Sequence, residues 1–183
     1  MRSKLFLILL FATLFACAQK QKYVSILESC EYKKALNRTE YMRFPYGKAY
    51  IDGKWTKKDY LQSSRQQLFV SEDSVALTIA FCDIKGFDFN KKPRKKGFEF
   101  LKAHYSWDTE YWLASGNGMK LELIESDSIE KYIVYRLYND NNVDNYFLTS
   151  EHNGIFAMYS VGSKWSREKI VAFLKKVRNS NFE

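Results

Sequence analysis

The sequence predicts an α+β domain in which an antiparallel sheet of about six or seven strands is packed by a mid-chain helix and a C-terminal amphipathic helix. Three observations carry that expectation. Val75, Leu77, Ile79 and Phe81 alternate with Ala76, Thr78, Ala80 and Cys82, the period of a β-strand. Between Met119 and Val161 several strand-like runs follow one another across short polar turns, as in an antiparallel meander. Ile170, Phe173, Leu174 and Val177 then recur at i, i+3, i+4 and i+7, one face of a helix.

Taken in order, Tyr23 to Leu36 has weak periodicity and suits a short helix or a strand. Thr39 to Pro45 reads as extended, because a proline disfavours helix in the residue before it. Asp52-Gly53 is a turn signal, and Trp55 to Leu61 fits either element. Arg65 to Val70 is an expected strand. Ser74 to Cys82 is the clearest one, with a large-residue face and a small-residue face that imply cover on both sides. From Gly97 a helix is expected, with Phe98, Leu101 and Tyr105 on one face, running toward Trp112 until Gly116-Asn117-Gly118 breaks it. Met119, Leu121 and Leu123 alternate with Lys120 and Glu122. Tyr132 to Tyr138 is rich in β-branched and aromatic residues, Tyr146 to Thr149 continues after a polar loop, and His152-Asn153-Gly154 turns into Ile155 to Val161. Ser166 is placed to cap the last helix, with Lys169, Lys175 and Lys176 turned to water.

At the N-terminus Arg2 and Lys4 precede an apolar run, Leu5 to Phe15, broken only by Thr13, and Leu14-Phe15-Ala16-Cys17 ends it. This is the pattern of a secretory signal peptide. The run is too short to span a bilayer, which takes roughly 20 apolar residues. Leu14, Ala16 and Cys17 resemble the lipobox of bacterial lipoproteins, in which the cysteine is acylated and becomes the new N-terminus; Phe15 stands where a smaller residue is usual. An ordinary cleaved signal also fits, because Ala16-Cys17-Ala18 satisfies the small-residue rule. The expected organisation is a signal peptide over residues 1–16, a lipidated Cys17 with a short polar tether over 17–22, and a single globular α+β domain over 23–183. The acyl chains implied by the resemblance would hold the protein stably, since each buried methylene contributes about 0.8 kcal/mol.

Removing Arg2 and Lys4 lowers the count of basic residues from 29 to 27 against 21 acids, so the exported chain keeps a charge of about +6. That favours anionic surfaces, and export argues against nucleic acid as a partner. Lys91, Lys92, Arg94, Lys95 and Lys96, interrupted only by Pro93, form the one strong charge run. It suits docking on membrane phosphates or, more plainly, a solvated loop before the helix. Cys30 and Cys82 would meet an oxidising compartment, where they can bridge or stay as buried thiols. A bridge closing that loop would stabilise by about 4 kcal/mol.

Motifs for chemistry are thin. Asp140, Asn142 and Asp144 fall at positions 1, 3 and 5 of a twelve-residue calcium loop, with Glu151 at position 12. Asn145 replaces the turn glycine, however, and the flanks read as strands, so a polar hairpin connection competes with the calcium reading. His104 and Asp108 sit one helical turn apart, but zinc wants further ligands and none is in pattern. Ala114-Ser115-Gly116-Asn117-Gly118 lacks the flanks of a nucleophile elbow. No catalytic residue, metal or cofactor is therefore expected. Exposed aromatics such as Tyr111, Trp112 and Trp165 suit stacking on sugar faces, or a place in the core.

The order of strands, a mid-chain helix, a meander and a terminal helix, with Phe44-Pro45 and the ending Asn179-Ser180-Asn181-Phe182, resembles the PsbP/Mog1/DcrB-type α-β-α layout over Thr39 to Phe182. That resemblance implies an accessory or binding role without catalysis. The composition, heavy in Lys, Asn, Tyr and Phe, resembles envelope lipoproteins of Bacteroidota. Asp73-Ser74-Val75 and Asp127-Ser128-Ile129 resemble the O-glycosylation sites of exported proteins in that group, which implies modification of Ser74 and Ser128. The tether Ala18 to Lys22 lacks the lysine-plus-acid pattern of surface export, which implies the periplasmic face of the outer membrane. The expected function is a lipid-anchored envelope protein that binds an envelope protein or a glycan without catalysis. An immunity or inhibitor lipoprotein, and an envelope enzyme acting on glycan or lipid, are the alternatives.

Overall fold

The computed structural model describes residues 25–115, 117–141, 143–162 and 165–182. The signal peptide, Cys17 and the tether lie outside the described residues. Ten strands and two α-helices make up the domain described. β1 (Leu27–Lys33), β2 (Arg38–Phe44) and β3 (Gly47–Asp52) form a three-stranded antiparallel sheet. β4 (Trp55–Leu61), β5 (Gln66–Ser71), β6 (Ala76–Asp83), β7 (Lys120–Asp127), β8 (Tyr132–Tyr138), β9 (Asp144–His152) and β10 (Ile155–Gly162) form a seven-stranded antiparallel sheet in the order β4-β5-β6-β10-β9-β8-β7. Helix α1 (Gly97–Ala114) lies between β6 and β7 in sequence, and α2 (Arg167–Asn179) closes the chain. No helix among the described residues is long and apolar enough to cross a membrane.

The alternation that marks each strand also assigns its two faces. On β8, Ile133, Tyr135 and Leu137 join the core under α1, whereas Tyr132 and Val134 join the core on the opposite side. On β6, Leu77, Ile79 and Phe81 enter that second core and Cys82 turns toward the first. The result is three layers, with α1 on one face of the large sheet and α2 beside the small sheet on the other. The two outermost strands, β4 and β7, each carry a register shift. Such bulges twist an edge away from further pairing.

Helix α2 matches its sequence signal. The Ser166 hydroxyl accepts from Lys169 N at 3.3 Å, and Ile170, Leu174 and Val177 are buried. The lysines are less free than their positions suggest, since Lys175 bonds Glu125 at 2.8 Å and Lys176 pairs with Asp52. Where the helix ends, Ser180 and Asn181 turn to the small sheet. Their side-chain oxygens accept from Tyr50 N at 2.8 Å and Lys48 N at 2.9 Å, so two outward amides of β3, the free edge of that sheet, are satisfied.

Two expectations change here. The segment read as helix or strand is β1 followed by a single 3₁₀ turn at Lys34–Leu36, and the small sheet it builds was not foreseen. Cys30 and Cys82 are free thiols. Cys30 adjoins the core on the α2 side and Cys82 the core under α1, so the large sheet lies between them and, of the two alternatives, the unbridged one is seen.

The small sheet meets the large one at Gly47. A Cβ there would stand 2.8 Å from Phe81 Cδ1 and 3.0 Å from Asn181 Oδ1, and the Phe81 ring is itself held edge-on against Tyr159. Gly47→Ala is expected to lower the unfolding free energy by about 1–3 kcal/mol, the usual cost of overpacking. Urea denaturation checks this, and an unchanged midpoint would mean that Phe81 yields freely.

Candidate functional site

Helix α1 starts beside the β9–β10 turn, where a Cβ on Gly97 would lie 3.8 Å from Glu151 Oε2, and ends beside the loop between β8 and β9. Its 18 residues make the two ends about 27 Å apart. Each end of the domain carries a concave surface.

At the C-terminal end of α1 lies a cleft of about 750 Å³. Leu137, Met119, Val143 and Phe147 give it an apolar floor and Trp112, 38% exposed, stands at its rim. Besides Gly118, the remaining lining is amide: Asn117, Asn139, Asn141 and Asn145. Asn139 organises the loop, its Oδ1 accepting from Asn141 N at 2.9 Å and Val143 N at 3.0 Å while its Nδ2 donates to Asn117 O at 3.3 Å. Asn117, Asn141 and Asn145 therefore sit on a wall fixed from within. Every described lining residue is uncharged. The nearby charges are paired off, Lys120 with Asp140 at 2.7 Å and Arg136 with Asp144 in a two-bond fork at 2.7 and 2.9 Å.

Beneath the floor, the ring of Phe147 stacks on Tyr135 at 5.0 Å. Tyr135 Oη donates to Asp108 Oδ2 at 2.8 Å, which locks α1 to β8. Burial raises the Asp108 pKa, with the hydrogen bonds from Tyr135 and Trp112 acting the other way. The carboxyl is thus a structural partner under the cleft, outside its lining.

At the opposite end a shallower groove of about 340 Å³ runs between the β2–β3 turn (Phe44, Pro45, Tyr46 and Lys48) and the β9–β10 turn (His152, Asn153 and Ile155). The basic run is tied to the same end. Asn90 Nδ2 donates to Ile84 O and Lys95 O, both at 3.2 Å, and Ile84 N donates to Gly154 O at 3.0 Å. All five cations from Lys91 to Lys96 are exposed.

The calcium reading is overturned. Asp144 and Glu151 mark the start and near the end of β9, about 23 Å apart at the rise of a strand. Asp144 is held by Arg136, Asp140 by Lys120, and Glu151 Oε1 accepts from Gly154 N at 2.6 Å; Asn142 lies outside the described residues. The segment is the polar hairpin connection. Trp165 is half-buried against Phe173, with ring centroids 5.4 Å apart; Tyr111 is exposed beside Trp112. Ser74 and Ser128 both stand exposed in hairpin turns. The four asparagines of the cleft were missed as a site, because each reads in sequence as a turn residue. The only hint was their density on both sides of β7 and β8.

His104 is no ligand either. It lies within an aromatic cluster, 4.3 Å from Phe156 and 5.4 Å from Phe87 by ring centroid, and its Nδ1 finds no hydrogen-bond partner among the described residues. Burial pushes its pKa down to about 4 from the ordinary 6.5. The unfolded chain accordingly takes up a proton that the folded chain refuses. Stability from this group is complete above about 6.5 and is lost as pH falls toward about 4. Asp108, with its raised pKa, works in the opposite sense at acid pH. His104→Phe removes only the first effect, so between pH 7 and 4 its stability relative to wild type is expected to improve by roughly 3 kcal/mol. Denaturation curves that stay parallel across that range would refute the assignment.

No protein-family model matches the chain, and no curated protein matches it. Among solved structures, the solution structure of the cyanobacterial PsbP protein CyanoP from Synechocystis sp. PCC 6803 is similar at a TM-score of 0.48, with 11% sequence identity, covering 90% of this chain and 97% of that one.

Proposed function

We propose that this chain is a lipid-anchored protein of the bacterial cell envelope, held through Cys17, that binds a neutral glycan-type ligand in the cleft beside Trp112 without catalysing a reaction on it. One observation carries the binding half: a cleft of about 750 Å³ whose described lining combines an aromatic rim, an apolar floor and amide side chains, all uncharged. A sugar presents an apolar face that stacks on a ring and hydroxyls that both donate to and accept from amides. The same lining offers no group to take or give a proton, which favours binding over chemistry. The anchoring half is supported by Leu14-Phe15-Ala16-Cys17 and the short polar tether behind it.

A second reading has its own observation. Trp107 and Tyr111, one helical turn apart on α1, are exposed and lie outside the cleft lining. Such a strip suits docking on a protein, as an accessory or inhibitor lipoprotein would need. O-glycosylation of Ser74 and Ser128 belongs to the same envelope setting, and a mass increment lost in the Ser→Ala variants would support it.

Cys17→Ala is expected to move the protein from the membrane fraction to the soluble fraction; retention in the membrane would sink the anchoring reading. On a panel of envelope glycans, Trp112→Ala is expected to weaken binding about tenfold, while Tyr111→Ala leaves it unchanged. Should no glycan bind saturably and cross-linking in native membranes instead capture one protein dependent on Trp107 and Tyr111, the second reading takes over.

A further inference from the structure

The end of the domain away from the cleft gathers three features that the fold itself does not require together. The first is apolar. Leu27 and Phe44 stand opposite each other on the β1–β2 ladder, with Met42 two residues along, and on this outer face of the small sheet they are 64%, 56% and 44% exposed. Further along the same face the partners are charged, Glu31 opposite Glu40 and Lys33 opposite Arg38. Across β1 and β2 this face is therefore apolar at one end only, with Lys48 of β3 opposite Met42.

The second feature is cationic. Asp88 engages Lys91 at 2.7 Å, but no ion pair among the described residues engages Lys92, Arg94, Lys95 or Lys96, and all four are exposed. Through Asn90 and Ile84 this loop is bonded to the β9–β10 turn, which faces Phe44 across the shallow groove. The third feature is the point of entry. Leu27 opens β1 at this same end, ten residues after Cys17. Even fully extended, that stretch reaches no more than about 35 Å.

We infer that this end of the domain docks on an anionic lipid surface. Leu27, Phe44 and Met42 enter the boundary between headgroups and acyl chains, and Lys92, Arg94, Lys95 and Lys96 bind headgroup phosphates. Apolar side chains flanked by unpaired cations are what an interfacial surface needs, since insertion and charge attraction add. The inference rests on the anchored reading for its tether. It deepens that reading by giving the domain an orientation, with the cleft facing water about 27 Å from the bilayer-facing end.

The test uses the chain from residue 17 onward, which contains every described element. An N-terminal histidine tag on nickel-chelating lipid holds it to vesicles at the natural point of attachment, whatever becomes of Cys17 in cells. An environment-sensitive fluorophore is attached at Phe44→Cys or, as control, at Glu72→Cys, whose side chain is 74% exposed in the β5–β6 turn at the cleft end of the large sheet. Cys17, Cys30 and Cys82 are each replaced by Ala, so that only the new surface thiol labels. On vesicles containing phosphatidylglycerol, emission at position 44 is expected to rise several-fold, shift to the blue and be quenched by a lipid-borne quencher, while position 72 stays unchanged. Reversing Lys92, Arg94, Lys95 and Lys96 to Glu, all surface changes, abolishes the response although the chain stays anchored.

A water-like signal at position 44 on anchored chains would overturn the inference. So would an equal response at position 72, a response unaffected by charge reversal, or a label at 44 already shielded in solution, which would mean that the chain's own leading segment covers the patch. The Cys17→Ala partition is scored separately. Docking without lipidation would leave this inference standing and remove the anchor, and lipidation without docking would do the reverse.

Discussion

The structure turns on the requirement that a sheet apolar on both faces be covered on both faces. β8 makes the requirement explicit, with Tyr132, Ile133, Val134 and Tyr135 buried in succession toward alternate sides. Seven strands at about 4.8 Å make a surface some 29 Å across, whereas one helix covers only about 10 Å of it. Helix α2 is a single helix. It therefore needs a neighbour, and the small sheet supplies one by laying Tyr41, Ala49 and Ile51 against Phe69, Leu77 and Phe81. Gly47 and the bonds from Ser180 and Asn181 follow from that need. They let the small sheet approach closely and join it to the end of α2, making one layer of the two.

Covering the faces leaves the two ends of the sheet as the places where the surface is free to differ, and they do differ. At one end the α1 terminus and the β8–β9 loop enclose uncharged amides and a tryptophan rim. At the other, the turns that follow β2, β6 and β9 carry exposed apolar side chains and unpaired cations. The three packed layers hold these surfaces apart, so a contact made at one does not occlude the other. The proposed attachment and the proposed binding thus use opposite poles of one unit, with α1 as the spacer between them.

Much of the fold was legible because it is local. Tyr132 to Tyr138 is bounded in the sequence as it is in the structure, and Ser166 caps the helix its position suggested. The small sheet was not legible, because β1 shows exposed and half-exposed residues with little alternation, its partner strands fixing what its own pattern leaves open. The choice between a bridge and free thiols was left open for a related reason. Cys82 lies on the small-residue face of β6, as read, but the segment carrying Cys30 covers the other face. The cleft was illegible because amides serve turns and ligands alike, and only the closure of the β8–β9 loop against α1 brings Asn117 to Asn139.

The residues that looked most like chemistry in the sequence are the ones that burial has taken out of play. His104 and Asp108 lie one helical turn apart, the spacing of a ligand pair, yet they diverge. Asp108 turns to Tyr135 and His104 to Phe156. Each is then shifted toward its neutral form, the histidine to a lower pKa and the carboxyl to a higher one, because a charge there would lack solvent. A metal would need the opposite, an ionised carboxylate and a nitrogen directed to a shared point. Asparagine carries no such penalty when it lines a half-open cleft, since an amide keeps both donor and acceptor at every pH. A site built on amides and aromatic rings is accordingly expected to hold its affinity across the acid range in which His104 weakens the fold, so that any loss of binding on acidification would follow loss of structure and not titration of the site.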